Sequence, residues 1–287
     1  MPSPSLDAPS PPAGSAPPKR RRWLWPPIGL ALAYILANCT LYGMQRSLVF
    51  QPSTGGEPAR AESLGMATVK TTAADGIAVT HWYAPPRGAA AVVVLFHGNG
   101  GTVADLEPWA AAFRARGYGV VLADYRGYSG NPGEPSETGV YADARAILAW
   151  LEEQGIAERR IVLLGWSLGS GVAVQMAVER HPAALVLLAP YTALVDVAAT
   201  QYPFSPVRSL MIDRFDSMSK IARIDAPLMI VHGEADEVIP TAMGRRLFAA
   251  AHEPKRALYL PGTGHVIPPG RAVADVAAFI DESLPSH

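Results

Sequence analysis

Short apolar runs alternate with amphipathic segments from about residue 60 to the end of the chain, and this alternation restricts the fold more than any other feature. The apolar runs include AAAVVVLFHG, YGVVLADYRG, RRIVLLG, AALVLLAP and APLMIVHG. Runs that are apolar throughout are typical of strands buried on both faces, whereas the segments between them have helical spacing. We therefore predict an α/β fold, in which helices cover both faces of a mostly parallel central sheet.

A hairpin is expected before the first of these units. GMATVKTT and IAVTHWYAP both read as strands, and the turn residues AADG separate them. The chain has 287 residues, 49% of them hydrophobic, which is ample for one large core. We assign residues 61–287 to a single α/β domain.

The first part of the chain has a different composition. Residues 1–22 are rich in proline, serine and alanine and end in the basic block KRRR, so we predict a disordered tail. Residues 23–44 begin with WLWPPIGLALAYILANCTLYG, a run without charge. At ~1.5 Å per residue, a helix of this length crosses a hydrocarbon core of roughly 30 Å. We predict a transmembrane anchor there and a linker over residues 45–60.

The basic block before the apolar run sets the expected orientation. By the positive-inside rule, the tail lies in the cytoplasm and the α/β domain lies outside it. A cleaved signal peptide followed by export is the alternative interpretation of the same segment.

The overall charge and the histidine and cysteine content argue against several kinds of function and site. The formal net charge is −1, which provides no electrostatic reason to expect nucleic acid binding. The seven histidines lack HExxH spacing, so we expect neither a metal nor a cofactor. Cys39 is the single cysteine, and an intrachain disulfide is therefore impossible.

The stretch GWSLGS, between a predicted strand and a predicted helix, has the pattern of a nucleophile elbow. In such a turn the serine, here Ser167, has a strained backbone that lifts its hydroxyl clear of the sheet. Side chains at Gly165 and Gly169 would collide with neighbouring elements. The backbone N–H of Leu168 then lies at a helix N-terminus, where it can stabilise an oxyanion.

A serine hydroxyl needs a base, and after such an elbow the partners follow in the order acid, then histidine. Asp236 follows the apolar run LMIVH, and His265 lies in the glycine-rich loop after ALYLPG. Glu234 is the alternative acid. We interpret His232, inside an apolar run, as a satisfied core histidine, and we assign His97 to loop structure.

A second oxyanion donor is expected from the loop FHGNGGT after the first buried strand. We choose the backbone N–H of Asn99, because the glycines around it let the chain pass close to a reacting carbonyl.

Several stretches together resemble the α/β-hydrolase superfamily over roughly residues 60–285. They are QRSLVFQPS, FHGNGG, DYRGYSGNPGEPSETGVYADARA, GWSLGSGVA, HGEADEVIP and PGTGH. As a set they are similar to a membrane-tethered branch that includes eukaryotic protein depalmitoylases and bacterial serine aminopeptidase-like proteins. The resemblance implies that Ser167, Asp236 and His265 form a catalytic triad and that Asn99 and Leu168 form the oxyanion hole.

The resemblance also concerns DYRGYSG, where it implies that Asp124 and Arg126 form an internal ion pair. One feature departs from the depalmitoylases, which lipidated N-terminal cysteines hold to membranes. Here Cys39 lies inside the predicted anchor. A domain outside the cytoplasm would not meet cytoplasmic palmitoyl-proteins.

The segment 191–225 is expected to form a short cap insertion of two or three helices. Its apolar side chains are candidates for an acyl pocket, and packing on the sheet is the alternative. The candidate pocket residues are Tyr191, Leu194, Tyr202, Phe204 and Met211.

The expected activity is hydrolysis of esters or thioesters of small or lipid-like acyl substrates. A peptidase or amidase with the same triad is the first alternative, although no acidic cluster presents itself to hold a peptide amino group. A non-catalytic binding protein of the same fold is the second.

Overall fold

The computed structural model describes Met1, residues 25–53 and residues 58–284. The chain divides into two compact units, Met1–Leu41 and Tyr42–His287. The predicted disordered tail lies outside the described residues, apart from Met1. The helices are α1 Trp25–Val49, α2 Pro58–Ser63, α3 Glu107–Ala115, α4 Glu137–Glu153, α5 Leu168–Glu179, α6 Leu194–Gln201, α7 Val207–Leu210, α8 Thr241–Ala250 and α9 Pro269–Ser283.

The strands of the described residues form one sheet. They are β1 Ala67–Thr72, β2 Ala78–Ala84, β3 Val92–Phe96, β4 Gly119–Ala123, β5 Ile161–Trp166, β6 Ala184–Leu188, β7 Leu228–Gly233 and β8 Lys255–Leu260. The spatial order is β1-β2-β4-β3-β5-β6-β7-β8. Strands β3 to β8 are parallel, whereas β1 and β2 form an antiparallel hairpin and β2 pairs antiparallel with β4. The predicted fold class and hairpin are therefore confirmed.

Strand β3 shows why helices cover both faces of the sheet. All five of its residues are buried, and successive side chains point to opposite faces. Val94 and Phe96 join an apolar layer with residues of α4, α5 and α8. Val93 and Leu95 join the opposite layer with residues of α3 and α9.

Two observations concern helix ends. Ser136 caps α4, with its Oγ accepting the Gly139 N–H at 3.1 Å. Helix α1 continues past the predicted anchor end at residue 44 and ends at Val49. The reason is local, because the first helix-breaking residue after the apolar run is Pro52.

The cap insertion follows β6 at the carboxyl edge of the sheet. It contains the short helices α6 and α7 and a 3₁₀ turn over Ile221–Arg223. Since β3 to β8 are parallel, the loops after β3, β5, β7 and β8 open at this same edge, where ligands bind in sheets of this kind.

Candidate active site

Ser167 lies between β5 and α5 with φ 53° and ψ −118°. A non-glycine residue with a positive φ is strained by roughly 1–3 kcal/mol and persists only where its surroundings hold it. Here the Ser167 N–H donates to the Leu188 carbonyl at 2.9 Å, and its own carbonyl accepts the Ser170 N–H at 2.9 Å. The backbone is therefore held on both sides of the serine.

The two glycines of the turn have a steric role. A Cβ at Gly165 would collide with the backbone of Gly169, and one at Gly169 would collide with the carbonyl of Phe96. Helix α5 thus starts so close to β3 and β5 that any side chain at either position would push it away.

The side chains predicted as nucleophile, base and acid lie in contact. Ser167 Oγ is 2.9 Å from His265 Nε2, and His265 Nδ1 is 2.9 Å from Asp236 Oδ2. A carboxylate only accepts hydrogen bonds, so Nδ1 carries the imidazole proton and Nε2 accepts the serine hydroxyl. The arrangement can move the serine proton to the imidazole.

The Asp236 carboxylate accepts three hydrogen bonds and lies close to one further nitrogen. Its Oδ1 accepts the backbone N–H groups of Val238 and Ile239, each at 2.9 Å. Its Oδ2 accepts from His265 at 2.9 Å and lies 3.3 Å from His232 Nε2. Burial raises the pKa of this carboxyl, but the hydrogen bonds outweigh burial and hold the pKa well below its usual value.

His232 is the site residue that sequence reasoning missed. It is fully buried as expected, but its Nε2 also donates to the Ile239 carbonyl at 3.0 Å. Its Nδ1 has no partner within the described part of the chain, so the expectation of a satisfied histidine holds for one nitrogen only. In the sequence, the one indication that His232 belongs to the site is its position four residues before Asp236.

Glu234, the alternative acid, and Asp225, another carboxylate that precedes Asp236 in the chain, have different surroundings. Glu234 is exposed and pairs with Arg245 at 2.9 Å. Asp225 is exposed and precedes β7, at the opposite end of that strand from Asp236.

The two candidate oxyanion donors have free backbone N–H groups. Neither the Asn99 nor the Leu168 N–H has an acceptor among the described residues. The side chain of Asn99 is engaged, since its Oδ1 accepts the Gln51 and Gly100 N–H groups at 2.9 Å and the Tyr128 hydroxyl at 3.0 Å.

His97 is buried beneath this loop. Its Nδ1 lies 2.8 Å from the Gly98 carbonyl, and its Nε2 lies 3.1 Å from Asp124 Oδ1. The expected Asp124–Arg126 ion pair is wrong. Arg126 pairs instead with Asp143 at 2.8 Å and with Asp75 at 2.5 Å, because its side chain reaches α4 and the hairpin turn while Asp124 meets His97.

The candidate pocket residues differ in exposure. Tyr191 is fully buried, and its hydroxyl donates to the Leu168 carbonyl at 3.1 Å, so it supports the elbow from within the core. Leu194 packs against the core, Met211 is half-buried, and Tyr202 and Phe204 are exposed. Tyr191 therefore has no surface to offer a substrate.

Comparison with known proteins identifies a family model and individual proteins that are similar to this chain in sequence. A sequence model of the family described as serine aminopeptidase, S33, matches residues 87–217. An uncharacterised protein of Mycobacterium tuberculosis is 41% identical over 252 residues, covering 85% of this chain and 89% of that protein. Human alpha/beta hydrolase domain-containing protein 17B is 32% identical over 177 residues, covering 60% of this chain and 59% of its own length.

Among solved structures, an esterase of Pyrococcus furiosus, Pf2001, superposes with a TM-score of 0.67 at 19% identity. The superposition covers 80% of this chain and 97% of the esterase. At this identity the likeness shows a shared fold.

Proposed function

Because the chain belongs to the α/β-hydrolase superfamily, and within it to the serine aminopeptidase S33 family, we propose that it is a serine hydrolase that cleaves carboxylic ester or thioester bonds. The observation that carries the proposal is the continuous chain of contacts from Asp236 through His265 to Ser167, each 2.9 Å long. The strained backbone of Ser167 adds support, since strain of this kind persists where function needs it.

In the proposed mechanism, Ser167 Oγ attacks the acyl carbonyl carbon while His265 Nε2 takes the hydroxyl proton. The carbonyl π electrons move to oxygen and form a tetrahedral oxyanion. His265 then protonates the leaving alkoxide or thiolate as the bond to it breaks, which leaves an acyl-enzyme. Water, deprotonated by His265, attacks the carbonyl carbon of the acyl-enzyme. The bond from that carbon to Ser167 Oγ then breaks as His265 returns the proton to Oγ, which releases the acid and regenerates the Ser167 hydroxyl. Asp236 stays ionised throughout and stabilises the imidazolium.

The oxyanion would accept the N–H groups of Asn99 and Leu168. Both groups are free of protein acceptors in the described residues, and Leu168 begins α5, where the helix dipole also favours negative charge. Each donor of this type contributes about 10²–10³ in kcat.

Exposed apolar side chains near the site favour lipid-like acyl groups. Within residues 58–284, the exposed large hydrophobic residues are Tyr202, Phe204, Ile212, Val238 and Val266. All lie in segments that follow β6, β7 or β8 at the carboxyl edge, and Val266 is adjacent to His265. Exposed apolar side chains on the segments around a site favour an apolar partner.

We also propose that α1 holds the enzyme at a membrane, with the catalytic unit outside the cytoplasm. Pro27–Val49 is long enough to cross a bilayer and has a hydropathy of 1.4 in its most apolar window. Ile28, Leu30 and Leu36 expose apolar side chains there. The basic block at residues 19–22 supports the orientation.

Fluorophosphonate labelling and ester hydrolysis test the catalytic proposal. We expect Ser167→Ala to abolish labelling and to lower kcat by roughly 10⁶. Ser63→Ala, on α2 and far along the chain from the elbow, is the matched control and should label like the wild type. A Ser167→Ala protein that kept its turnover would overturn the proposal, and acyl-matched ester, thioester and amide substrates would separate an esterase from an amidase.

A further inference from the structure

Residues 45–53, the last turn of α1 and the four residues after it, are here called the strap. Its first part is bonded to the cap insertion. Gln45 Oε1 accepts the Ile212 N–H at 2.8 Å, and Arg46 Nε donates to Asp213 Oδ2 at 3.2 Å. The end of the helix is thus connected to the catalytic unit by two consecutive cap residues.

Phe50 fixes the middle of the strap in the core. It is only 2% exposed, and its ring meets Phe215 edge-on with a centroid distance of 6.1 Å. Phe215 is itself fully buried and packs edge-on against Tyr141 at 5.4 Å. Burial of a phenylalanine to this extent is favourable, so Phe50 holds the middle of the strap against the core.

The last part of the strap binds the loop that carries Asn99. The Gln51 N–H donates to Asn99 Oδ1 at 2.9 Å. The Ser53 hydroxyl lies 3.1 Å from the Gly100 carbonyl and 3.2 Å from the Gly101 carbonyl, and the Ser53 carbonyl accepts the Ser129 N–H at 3.0 Å. Three consecutive residues, from Asn99 to Gly101, therefore have a partner in the strap.

This loop needs external support. Gly98, Gly100 and Gly101 surround Asn99, and Gly100 has φ +71°. Glycines leave the backbone free to adopt many conformations, so the loop sequence alone does not hold the Asn99 N–H in one direction. The hydrogen bonds from Gln51, Gly100 and Tyr128 to one amide oxygen supply that restraint.

We propose that the strap is a positioning element of the active site, which holds the Asn99 N–H where the oxyanion forms. This rests on the proposed function, because it assumes that Asn99 is an oxyanion donor. The segment that sequence reasoning treated as a linker then belongs to the working enzyme. A processed form that begins before Gln45 keeps the element, whereas one that begins after Ser53 lacks it.

Two full-length variants at one position test the proposal. Gln51→Pro removes the N–H that bonds Asn99, whereas Gln51→Ala removes the side chain and keeps the N–H. We expect kcat for an ester to be about 10- to 100-fold lower in Gln51→Pro than in Gln51→Ala, with KM within about twofold. Amide hydrogen exchange in a peptide covering residues 98–101 should be faster in the proline variant only.

Ser53→Ala is a second variant that leaves the backbone unchanged. It removes the hydroxyl from the Gly100 and Gly101 carbonyls, and we expect kcat to fall by about threefold, with faster exchange in the same peptide. The proposal is overturned if the proline and alanine variants at residue 51 agree in kcat and in exchange. It is also overturned if KM rises while kcat is unchanged.

Hydrogen exchange separates this proposal from the catalytic one. If the wild type neither hydrolyses esters nor takes fluorophosphonate at Ser167, the catalytic proposal fails. Faster exchange of residues 98–101 in Gln51→Pro would still show that the strap orders the loop, and unchanged exchange would show that it does not.

Discussion

Asp236 illustrates how single residues set the chemistry of this site. It lies in the turn after β7, and two backbone N–H groups of that same turn bind its Oδ1. Its Oδ2 then has room for two imidazoles, His265 on one side and His232 on the other. The charge is therefore held by donors from its own loop, and the carboxylate keeps one orientation toward His265.

His232 is expected to support the reaction through this carboxylate. In His232→Phe the carboxylate loses the polar nitrogen that lies 3.3 Å from its Oδ2, so its hold on His265 weakens and we expect kcat to fall by about tenfold at constant KM. His232→Gln keeps an N–H donor near the position of Nε2 and should recover part of the loss. Steady-state kinetics on one ester, with melting temperatures for both variants, measure the effect.

The same two variants would also reveal whether the role of His232 is purely structural. If both lost the same activity, or if the loss followed melting temperature alone, His232 would be a packing residue. Such a packing role has a structural basis, because the His232 ring lies directly against Gly244. A Cβ at residue 244 would lie only 2.5 Å from His232 Nδ1.

At the scale of elements, a buried histidine joins the hairpin to the parallel part of the sheet. His81 on β2 lies 2.9 Å from the Thr71 hydroxyl of β1, and its Nδ1 accepts the Asp124 N–H at 3.1 Å. Since Nδ1 accepts, the proton is on Nε2. Burial lowers the pKa of His81 to about 4, against the opposing charge of Asp124.

The lowered pKa makes the hairpin sensitive to acid. Between pH 6.5 and 4 the unfolded chain binds a proton at residue 81 that the folded chain does not, so the free energy of unfolding falls as pH falls. The shift from 6.5 to about 4 corresponds to roughly 3 kcal/mol. In His81→Asn, which does not titrate, we expect the decrease over this range to be smaller by that amount.

Urea unfolding at several pH values between 4 and 7 measures this difference. Comparing the wild type with His81→Asn cancels the contributions of the other histidines and of the carboxyl groups. Parallel curves for the two proteins would contradict the assignment of a neutral buried imidazole.

For the molecule as a whole, the prediction concerns the proposed membrane anchor α1. We expect fluorophosphonate to label a full-length protein in carbonate-washed membranes of a bacterial host. Protease added outside spheroplasts should digest the labelled unit, because the positive-inside rule predicts a cytoplasmic N-terminus for this sequence. Permeabilised cells provide the control for protease activity.

Two other outcomes would contradict this placement. A shorter labelled protein in the soluble fraction would mean that the apolar segment is a cleaved signal. Protection from external protease, lost on permeabilisation, would mean that the catalytic unit faces the cytoplasm.

The fold class could be predicted from the sequence alone, because strand and helix periodicities are local and each is carried by a few consecutive residues. It also predicted Ser167, Asp236 and His265 together, since parallel strands bring the ends that precede them to one edge of the sheet. Their catalytic role stays a prediction for the labelling experiment.

Contacts between residues far apart in the chain could not be predicted from the sequence and are seen only in the folded protein. The placement of β4 between β2 and β3, the pairing of Arg126 with Asp143 and the burial of Tyr191 depend on side chains far apart in the chain. The same holds for the strap, because nothing near Gln51 in the sequence indicates that its N–H meets Asn99, 48 positions later. Such contacts arise from packing of whole elements, which local periodicity does not encode.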